Sequence, residues 1–385
     1  MWDMAKKIVS LVRCESYDTE TVRAALGELL GHLGGIEKFV SPGMKALVKP
    51  NLLLAAAPAK ACTTNPEFLI EVIRRLQAAG AKVSFGDLPG GFYAGGTARV
   101  HEATAMTRVA EATGAELVTL EKFGFKEVKI HGGKKVKLIH APRYLDEVDA
   151  IVNVCKLKTH SQTMMTCALK NTFGLTTQQD RLLAHRHSRY ADFAEALVDI
   201  YSALPKPALN IADAVIGMEG AGPSQGSPVK LGFLLASADA VALDTVAASA
   251  IGFQPREIGT IEAARRRGFD ATRLSEIELR GAPLDSVRKK VKRPPSALFM
   301  LMPLIATPFN ELTKVRPYVV RDKCKACKKC AEVCAGDAIT FPGKYAAIDD
   351  RRCVLCFCCH EICPYGAVDI KKPLLVTLAE RFQTR

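Results

Sequence analysis

The 385-residue sequence predicts an α/β protein, with a mainly parallel three-layer sheet domain followed by a small α+β domain. Two observations support this prediction. Short β-rich apolar runs alternate with helical patterns up to about residue 283. Nine of the thirteen cysteines then fall in the last 62 residues. We expect an α/β domain over 1–283, a basic and apolar linker over 284–315, a cysteine-rich domain over 316–372 and a tail over 373–385.

The elements of the first domain follow from hydrophobic periodicity. Strands are predicted at 7–12, 46–51, 82–87, 116–120, 150–158, 208–215 and 231–237. Helices are predicted at 19–33, 66–79, 99–113, 189–203, 239–251 and 257–267. Asn65-Pro66 opens the second helix and Gly80 closes it. Strands joined by crossover helices imply a mainly parallel sheet, on which ligands bind beyond the carboxyl ends of the strands.

Polar residues follow several of these strands. Their positions are Lys49-Pro50-Asn51, Gly86-Asp87, Lys156 to His160, and Asp213 with the glycine-rich run at 217–226. A glycine-rich turn lets backbone amides approach an anion, and lysines add positive charge. We therefore expect a single pocket that binds an anion. Neither glycine-rich segment has the spacing of a dinucleotide or P-loop motif, so we predict neither NAD nor ATP.

Candidate site residues come from these clusters. Lys156, Lys158 and His160 alternate, so on a strand they would share one face and repel each other unless an anion lies among them. A solvated strand end is the alternative. Lys170-Asn171, at the end of a helix predicted to begin near Thr163, could return to the same pocket. The candidate acid–base residues are Lys158, His160, Asp213 and Glu219. The candidate binding residues are Lys49, Asn51, Lys156, Lys170, Asn171, Gly220 and Gly222.

Several of these residues also have structural interpretations. Asp213 could cap a turn, and Glu219 could pair with a lysine. Asp239 is typical of an N-cap, whereas Asp244 lies one turn further and could face a ligand. A further alternative is a metal site of His185 and His187 with Asp180 or His160. Cys62, Cys155 and Cys167 lack cluster spacing and are expected to be buried.

The last domain repeats one cysteine pattern. Cys324, Cys327, Cys330 and Cys334 form one copy, and Cys353, Cys356, Cys359 and Cys363 form the second. A Cys-x2-Cys-x2-Cys loop directs three thiolates to one 4Fe-4S cluster, and the fourth cysteine serves the other cluster. We predict that Cys324, Cys327, Cys330 and Cys363 bind one cluster, and that Cys334, Cys353, Cys356 and Cys359 bind the second.

Other interpretations of these cysteines fit the pattern less well. Zinc sites usually show paired cysteines. A disulfide framework needs an oxidising compartment, and the first residues contain no secretory signal that would indicate one. Ala335 stands where the second copy has Pro364, a turn residue that is not a ligand. Cys358 lies between ligands and is expected to be a packed thiol that could tune neighbouring sulfurs.

The formal net charge of +13 indicates anionic partners. Two oxidised clusters, each near −2 with its thiolates, would lower the net charge to about +9. We expect an acidic redox protein of the ferredoxin or flavodoxin type, or an anionic small molecule. Nucleic acid is not expected, because the basic residues are scattered and no aromatic stacking motif accompanies them. The apolar run at 297–309 is too short to span a bilayer and at most allows peripheral membrane contact.

Five segments carry a family resemblance. They are KPNLL (49–53), 63–87, KLKTHSQTMMTCALKNTFGL (156–175), 210–237 and 239–255. They resemble the family catalogued as domain of unknown function 362, members of which are often fused to a two-cluster ferredoxin. The resemblance implies an anaerobic, cytoplasmic iron-sulfur protein, and it leaves the reaction unassigned. In members we expect His before the proline at Pro66, where this chain has Asn65.

Three functions are compatible with these features. The first is an iron-sulfur oxidoreductase or redox-activating protein, in which two 4Fe-4S clusters relay single electrons to an anionic substrate, cofactor or metal centre in the α/β domain. The second is a non-catalytic electron-transfer subunit that docks an acidic redox partner. The third is an isomerase, suggested by a loose similarity of layout to nickel-dependent lactate racemase.

Overall fold

The computed structural model describes residues 6–90, 96–187, 189–295 and 316–371. The apolar run at 297–309 and the tail at 373–385 lie outside these residues. No helix in the described residues is long and apolar enough to cross a membrane.

The strands of the described residues lie in one large sheet and three small ones. They are Lys7–Arg13 (β1), Lys45–Lys49 (β2), Lys82–Phe85 (β3), Glu116–Leu117 (β4), Phe125–Lys129 (β5), Leu138–Pro142 (β6), Ala150–His160 (β7), Met164–Thr166 (β8), Leu209–Glu219 (β9), Ser227–Ser237 (β10), Ile277–Gly281 (β11), Arg316–Val319 (β12), Ile339–Thr340 (β13), Ala347–Ile348 (β14) and Val368–Lys371 (β15). The α-helices are Thr19–Gly31 (α1), Pro66–Ala78 (α2), Gly96–Ala103 (α3), Met106–Thr113 (α4), Ala168–Asn171 (α5), Gln178–His185 (α6), Tyr190–Ala203 (α7), Ala240–Ala250 (α8), Gly259–Arg266 (α9), Lys329–Glu332 (α10) and Cys358–Ile362 (α11).

The large sheet has the order β11-β1-β10-β9-β7-β2-β3-β4, with β8 paired to β7. β1 with β11 and the run β9-β7-β2-β3-β4 are parallel, whereas β10 is antiparallel to both β1 and β9. Apolar residues from opposite faces of β7 enter two separate cores: Val152 and Val154 pack with α1 and α2, and Ile151 packs with α7 and α8. The predicted mainly parallel α/β domain is confirmed.

The structure corrects two local predictions. The helix predicted at 99–113 is two helices, because Ala105 adopts a left-handed φ of 59° between α3 and α4. The helix predicted from Thr163 begins later, since Met164–Thr166 pairs with β7 as β8, and the α-helix covers Ala168–Asn171 before a 3-10 turn at Thr172–Leu175. Asp244 explains the later start, because its carboxylate accepts hydrogen bonds from the N–H groups of Ala168 (2.7 Å) and Leu169 (3.2 Å).

The small domain consists of two antiparallel ladders, β12 with β15 and β13 with β14, and the short helices α10 and α11. Its described part has the predicted α+β composition. Its membership of the ferredoxin class stays a prediction.

Candidate functional site

A cleft lies beyond the carboxyl ends of β2, β3 and β7, where the rule for parallel sheets places ligands. Lys49 and Asn51 follow β2, Asp87 follows β3, and Lys158 and His160 end β7. The cleft encloses a cavity of about 120 Å³. Cys358, Glu361 and Ile362 of α11 form part of its wall, so the small domain closes a site that the large domain begins.

Direct contacts join the two domains around this cleft. Arg186 Nε donates to the Ala335 carbonyl (3.0 Å), and Ser224 Oγ donates to the Glu361 carbonyl (2.6 Å). Gln225 Nε2 donates to the Cys363 carbonyl at 3.2 Å. Leu182 packs against an apolar group of the small domain, namely Val333, Ala335, Cys356, Cys358 and Ile362. The side of the small domain that meets the large domain is therefore formed by α11 together with residues 333 and 335, at the end of the first cysteine copy.

Six of the predicted site residues line the cleft. They are Lys49, Asn51, Lys158, His160, Lys170 and Asn171. The other predicted residues outside the cysteine copies do not line it. They are Lys156, Asp213, Glu219, Gly220 and Gly222.

Lys156 and Asp213 form a buried ion pair with each other. Lys156 Nζ lies 2.8 Å from Asp213 Oδ2, and Tyr17 OH donates to Asp213 Oδ1 at 2.7 Å. Asn65 N–H also donates to Asp213 Oδ2, at 3.0 Å. A buried charge is stable only when it is paired and hydrogen-bonded, and this network supplies both. The sequence predicted that Lys156 and Lys158 form one basic face. It did not predict that Asp213, opposite Lys156 in the β7–β9 ladder, neutralises Lys156.

The glycine-rich run after β9 packs against the protein. The carbonyl of Gly222 accepts from Ser161 N (3.0 Å), and a Cβ at Gly222 would lie 2.0 Å from the Thr159 carbonyl oxygen. Glu219 pairs with Lys292 at 3.2 Å, as its structural interpretation expected. Gly220 N–H donates to the Lys292 carbonyl at 2.9 Å. These glycines allow close packing, and Pro223 is the residue of this run that reaches the cleft.

Lys49 reaches the cleft with its charge already compensated. Its Nζ lies 2.7 Å from Asp87 Oδ1, and both side chains are buried. Asp87 also accepts from the N–H groups of Leu52 (2.8 Å) and Leu88 (2.9 Å). Gly174 passes so close that an added Cβ would lie 2.5 Å from Asp87 Oδ1. The pair is thus fixed in place and adds little net charge to the cleft.

Lys158 and Lys170 bring positive charge that these contacts do not neutralise. Lys158 Nζ donates to the carbonyl of Cys62, and Lys170 Nζ lies 5.5 Å from the ring centre of Phe173. Burial lowers the pKa of Lys158 to about 7 and the pKa of Lys170 to about 8. Each ammonium would gain stability from an anion in the cleft.

His160 is held as a neutral hydrogen-bond donor. Its Nδ1 accepts from the N–H groups of Gln162 (2.9 Å) and Thr163 (3.2 Å), so the ring proton lies on Nε2. Burial, and then the charge of Lys170, lowers the pKa of His160 well below its usual value. Its Nε2 lies 3.8 Å from Glu361 Oε1. Burial raises the pKa of Glu361 to about 8, so near neutral pH the two groups do not form an ion pair.

The alternative histidine metal site does not assemble. His185 lines the cleft, but its Nδ1 lies 2.9 Å from Gln162 Oε1 and its ring stacks on Phe193 at 4.4 Å. Asp180 is used by His140, accepting from its N–H at 2.8 Å. Across the described ranges, no group of three or more His, Cys, Asp or Glu side chains can hold a single metal ion.

The cysteines of the small domain surround two small cavities. Cys324, Cys327, Cys330 and Cys363 line one. Cys334, Cys353, Cys356 and Cys359 line the other. Each set combines three cysteines of one copy with the last cysteine of the other copy, which is the crossed pairing expected from the sequence.

The thiols of the first cavity lie close together and are hard to ionise without a metal. Burial, followed by the nearness of Cys363 and Cys327, raises the pKa of Cys330 to about 11. A thiol in that setting ionises only if a metal compensates the charge. Cys334 Sγ accepts from Ala338 N (3.1 Å) and Cys363 Sγ from Ala367 N (3.2 Å), a type of bond that tunes cluster potential.

Cys358 faces a different space from the neighbouring cysteines. It lines the cleft and is absent from the residues that line the two cysteine cavities. Its thiol lies 3.9 Å from the carbonyl of Cys356, and it is buried. The placement agrees with a packed thiol.

Sequence reasoning missed several residues of the cleft. Thr166 lies on the short strand β8, which was predicted as helix. Arg181 donates to the carbonyls of Leu88 (2.6 Å) and Pro89 (3.0 Å), and so fixes the loop after β3. Glu361 comes from the other domain. No local pattern marks Glu361, because its position depends on how the domains dock.

The chain is an α/β protein whose polar cleft, at the carboxyl ends of parallel strands, is closed by a cysteine-rich module. The chain belongs to the family described as Domain of unknown function (DUF362), whose family model matches residues 46–249. The resemblance inferred from the sequence is thereby confirmed for this domain.

Two known proteins are similar to the chain. It is 35% identical over 274 residues to a protein of Synechocystis sp. called thylakoid-associated, covering 69% of this chain and 81% of that protein. The lactate racemase apoprotein from Thermoanaerobacterium thermosaccharolyticum superimposes with a TM-score of 0.36 and 11% identity. That match covers 62% of this chain and 57% of the racemase, so the chain spans little more than half of its length.

Proposed function

We propose that this chain is an iron-sulfur redox protein, in which the small domain exchanges electrons with an anionic substrate, cofactor or metal centre held in the cleft. The observation that carries the proposal is the position of α11. Cys359 of this helix lines a cysteine cavity, whereas Cys358, Glu361 and Ile362 of the same helix line the cleft. One short helix is thus a wall of both spaces.

The cysteine sets support two 4Fe-4S clusters, one held by Cys324, Cys327, Cys330 and Cys363, and one held by Cys334, Cys353, Cys356 and Cys359. When bound, such clusters accept and donate one electron at a time. The fused domains hold donor and acceptor together, which gives a high effective concentration without a diffusional encounter.

The residues of the cleft would bind and orient the ligand. Lys158 and Lys170 offer positive charge, and His160 offers an N–H donor whose direction is fixed by the N–H groups of Gln162 and Thr163. Lys158, with a pKa of about 7, is also able to give up or take a proton near neutral pH. The α11 wall would restrict the entry of water, which strengthens these interactions.

The experiment is anaerobic reconstitution of the full chain, followed by iron and sulfide analysis and single-turnover oxidation of the reduced protein by candidate anions. We expect about eight irons and eight sulfides per chain. Lys158→Met and His160→Phe should abolish anion-dependent oxidation and leave iron content intact. Lys82→Met, which changes an exposed lysine on β3, is the control and should behave as wild type. A folded, iron-free protein would overturn the proposal.

A second function is supported by a different observation. The first cysteine copy carries the exposed lysines Lys323, Lys325 and Lys328, and its Cys327 is also exposed. Positive charge around an accessible ligand suits an acidic electron-carrier protein. In this version the chain is an electron-transfer subunit that docks an acidic partner of the ferredoxin or flavodoxin type. A cytoplasmic, oxygen-free setting stays a prediction of both versions.

A further inference from the structure

Three buried amide and hydroxyl oxygen atoms of the cleft have no hydrogen-bond partner within the protein. They are Asn51 Oδ1, Asn171 Oδ1 and Thr166 Oγ1, and the residues that carry them are 8%, 3% and 4% exposed. All three residues line the cleft. Buried polar atoms are nearly always paired, so three of them around one cavity indicate that a ligand supplies the missing bonds.

A chain of asparagines fixes which atom of Asn171 remains unpaired. Asn210 Nδ2 lies at 3.3 Å from the Ser237 carbonyl, which can only accept, so Asn210 Oδ1 faces Asn153. Asn153 Nδ2 donates to that oxygen at 2.8 Å and to the Ala168 carbonyl at 3.0 Å. Its own Oδ1 therefore accepts from Asn171 Nδ2 at 2.7 Å. The amide oxygen of Asn171 is left over, and it needs a donor.

The same cavity also presents donors. Lys158, Lys170 and the Nε2–H of His160 need acceptors, as an anion would provide. Glu361 Oε1 lines the same cavity without a hydrogen-bond partner, and at 3.8 Å from His160 Nε2 it is too far away to accept that proton. A ligand that satisfies both sets carries a negative charge and a hydrogen-bond donor. A cation bound by the amide oxygens would satisfy only one set, and the two ammonium groups would repel it.

We infer that the cleft selects a small carboxylate that also bears a hydroxyl or amino group, over the same carboxylate without that donor. The inference rests on the ligand-binding part of the proposed function and names the class of ligand. Asn51, Thr166 and Asn171 act as specificity residues, because an analogue without the donor leaves their oxygens unpaired after it has excluded water.

The experiment measures binding of matched probes to the full-length, cluster-loaded chain by calorimetry. Succinate, 2-hydroxysuccinate and 2-aminosuccinate share a carbon skeleton and differ in the donor. We expect the hydroxy or amino compound to bind at least about tenfold more tightly than succinate. Asn51→Leu and Thr166→Val should each reduce that preference and retain the weaker binding of succinate. Thr104→Val removes a buried hydroxyl on the Val100 carbonyl, outside the cleft, and should change neither value.

Three outcomes would overturn the inference. They are equal affinity for all three probes, no binding by any of them, and a preference that survives Asn51→Leu together with Thr166→Val. Stabilisation by Mg²⁺ or Ca²⁺ without a carboxylate would replace it with a cation site. Iron and sulfide are measured on the same samples. Loss of clusters with donor preference intact would reject only the redox proposal, and loss of preference with clusters present would reject only this inference.

Discussion

The two cysteine copies have the same backbone and opposite surroundings. Ala326 and Leu355, one residue before the second cysteine of each copy, have left-handed φ values of 48° and 56°. Lys328 and Phe357, one residue after that cysteine, have φ values of 63° and 60°. Each copy then enters a short helix, α10 or α11. The spacing of the cysteines therefore fixes one local conformation in both copies.

The side chains between the cysteines give the two copies different surroundings. The first copy has Lys325 and Lys328, which are exposed, whereas the second has Phe357 and Cys358, which are buried. Lysine keeps its ammonium in water, whereas Cys356, Cys358 and Ile362 of the second copy pack, together with Val333 and Ala335, on Leu182 of the large domain. One loop geometry therefore faces solvent in the first copy and the large domain in the second, and the charge of the side chains between the cysteines distinguishes the two.

The largest effect is expected from substitutions that test which cysteines of the two copies share a cluster. Cys363 belongs to the second copy by sequence. Cys363→Ser should nevertheless remove the same cluster as Cys327→Ser, because Cys363 and Cys327 line one cavity. Cys334→Ser should match Cys353→Ser. We expect each variant to lose about four of eight irons. Iron analysis with electron paramagnetic resonance measures this, and Cys363→Ser matching Cys353→Ser would show that the pairing is not crossed.

The second prediction concerns the cleft, where anion binding should depend on pH. Anions bind the protonated lysines, so anion affinity should fall as pH rises through the pKa of Lys158, about 7, and then that of Lys170, about 8. The fall should approach about tenfold per pH unit for each required lysine. Titrating or charged groups facing Lys158 are Cys62, Lys170, Glu361 and Lys156, and ionisation of Glu361 acts in the same direction.

Calorimetry with 2-hydroxysuccinate between about pH 6 and pH 9 measures this dependence. Lys158→Met should abolish the fall near pH 7 and retain the fall near pH 8. Affinity that is constant over the whole range would mean that neither lysine contacts the anion.

A smaller effect is expected from reversing the charge of the exposed lysines in the first cysteine copy. Lys325→Glu with Lys328→Glu should weaken association with an acidic flavodoxin by about tenfold at low salt and flatten its salt dependence. Lys82→Glu with Lys129→Glu makes the same change of net charge on exposed residues of the large domain and is the matched control. Equal weakening by both pairs would mean that only net charge matters. Surface plasmon resonance over a salt series distinguishes a local effect of these lysines from an effect of net charge alone.

The smallest effect concerns Cys358. Cys358→Ala should leave about eight irons bound, because this thiol lines the cleft and is absent from the residues that line the cysteine cavities. Loss of a small buried side chain should lower the free energy of unfolding by about 1 kcal/mol. Iron analysis and chemical unfolding measure both values. A loss of about four irons would make Cys358 a cluster ligand.

Much of the cleft was predictable because parallel strands bring their carboxyl ends to one edge. Lys158 and His160 were found in this way, since they end β7, and Lys49 and Asn51 were found because they follow β2. Asp213 was predicted on the same rule and lies elsewhere, because it is held by Lys156, Tyr17 and Asn65. Position at a strand end predicts nearness to the cleft, and it does not predict which polar residues pair with each other.

Features that depend on short-range pattern were predictable from the sequence. Cysteine spacing predicted which thiols share a cavity, and hydrophobic periodicity predicted the mainly parallel sheet, because both are set by local backbone geometry and side-chain burial. Two other features, the closure of the cleft by α11 and the unpaired oxygen that Asn171 presents there, became visible only in the folded chain. These features arise from contacts between distant segments, and their partners carry no mark in the sequence around them.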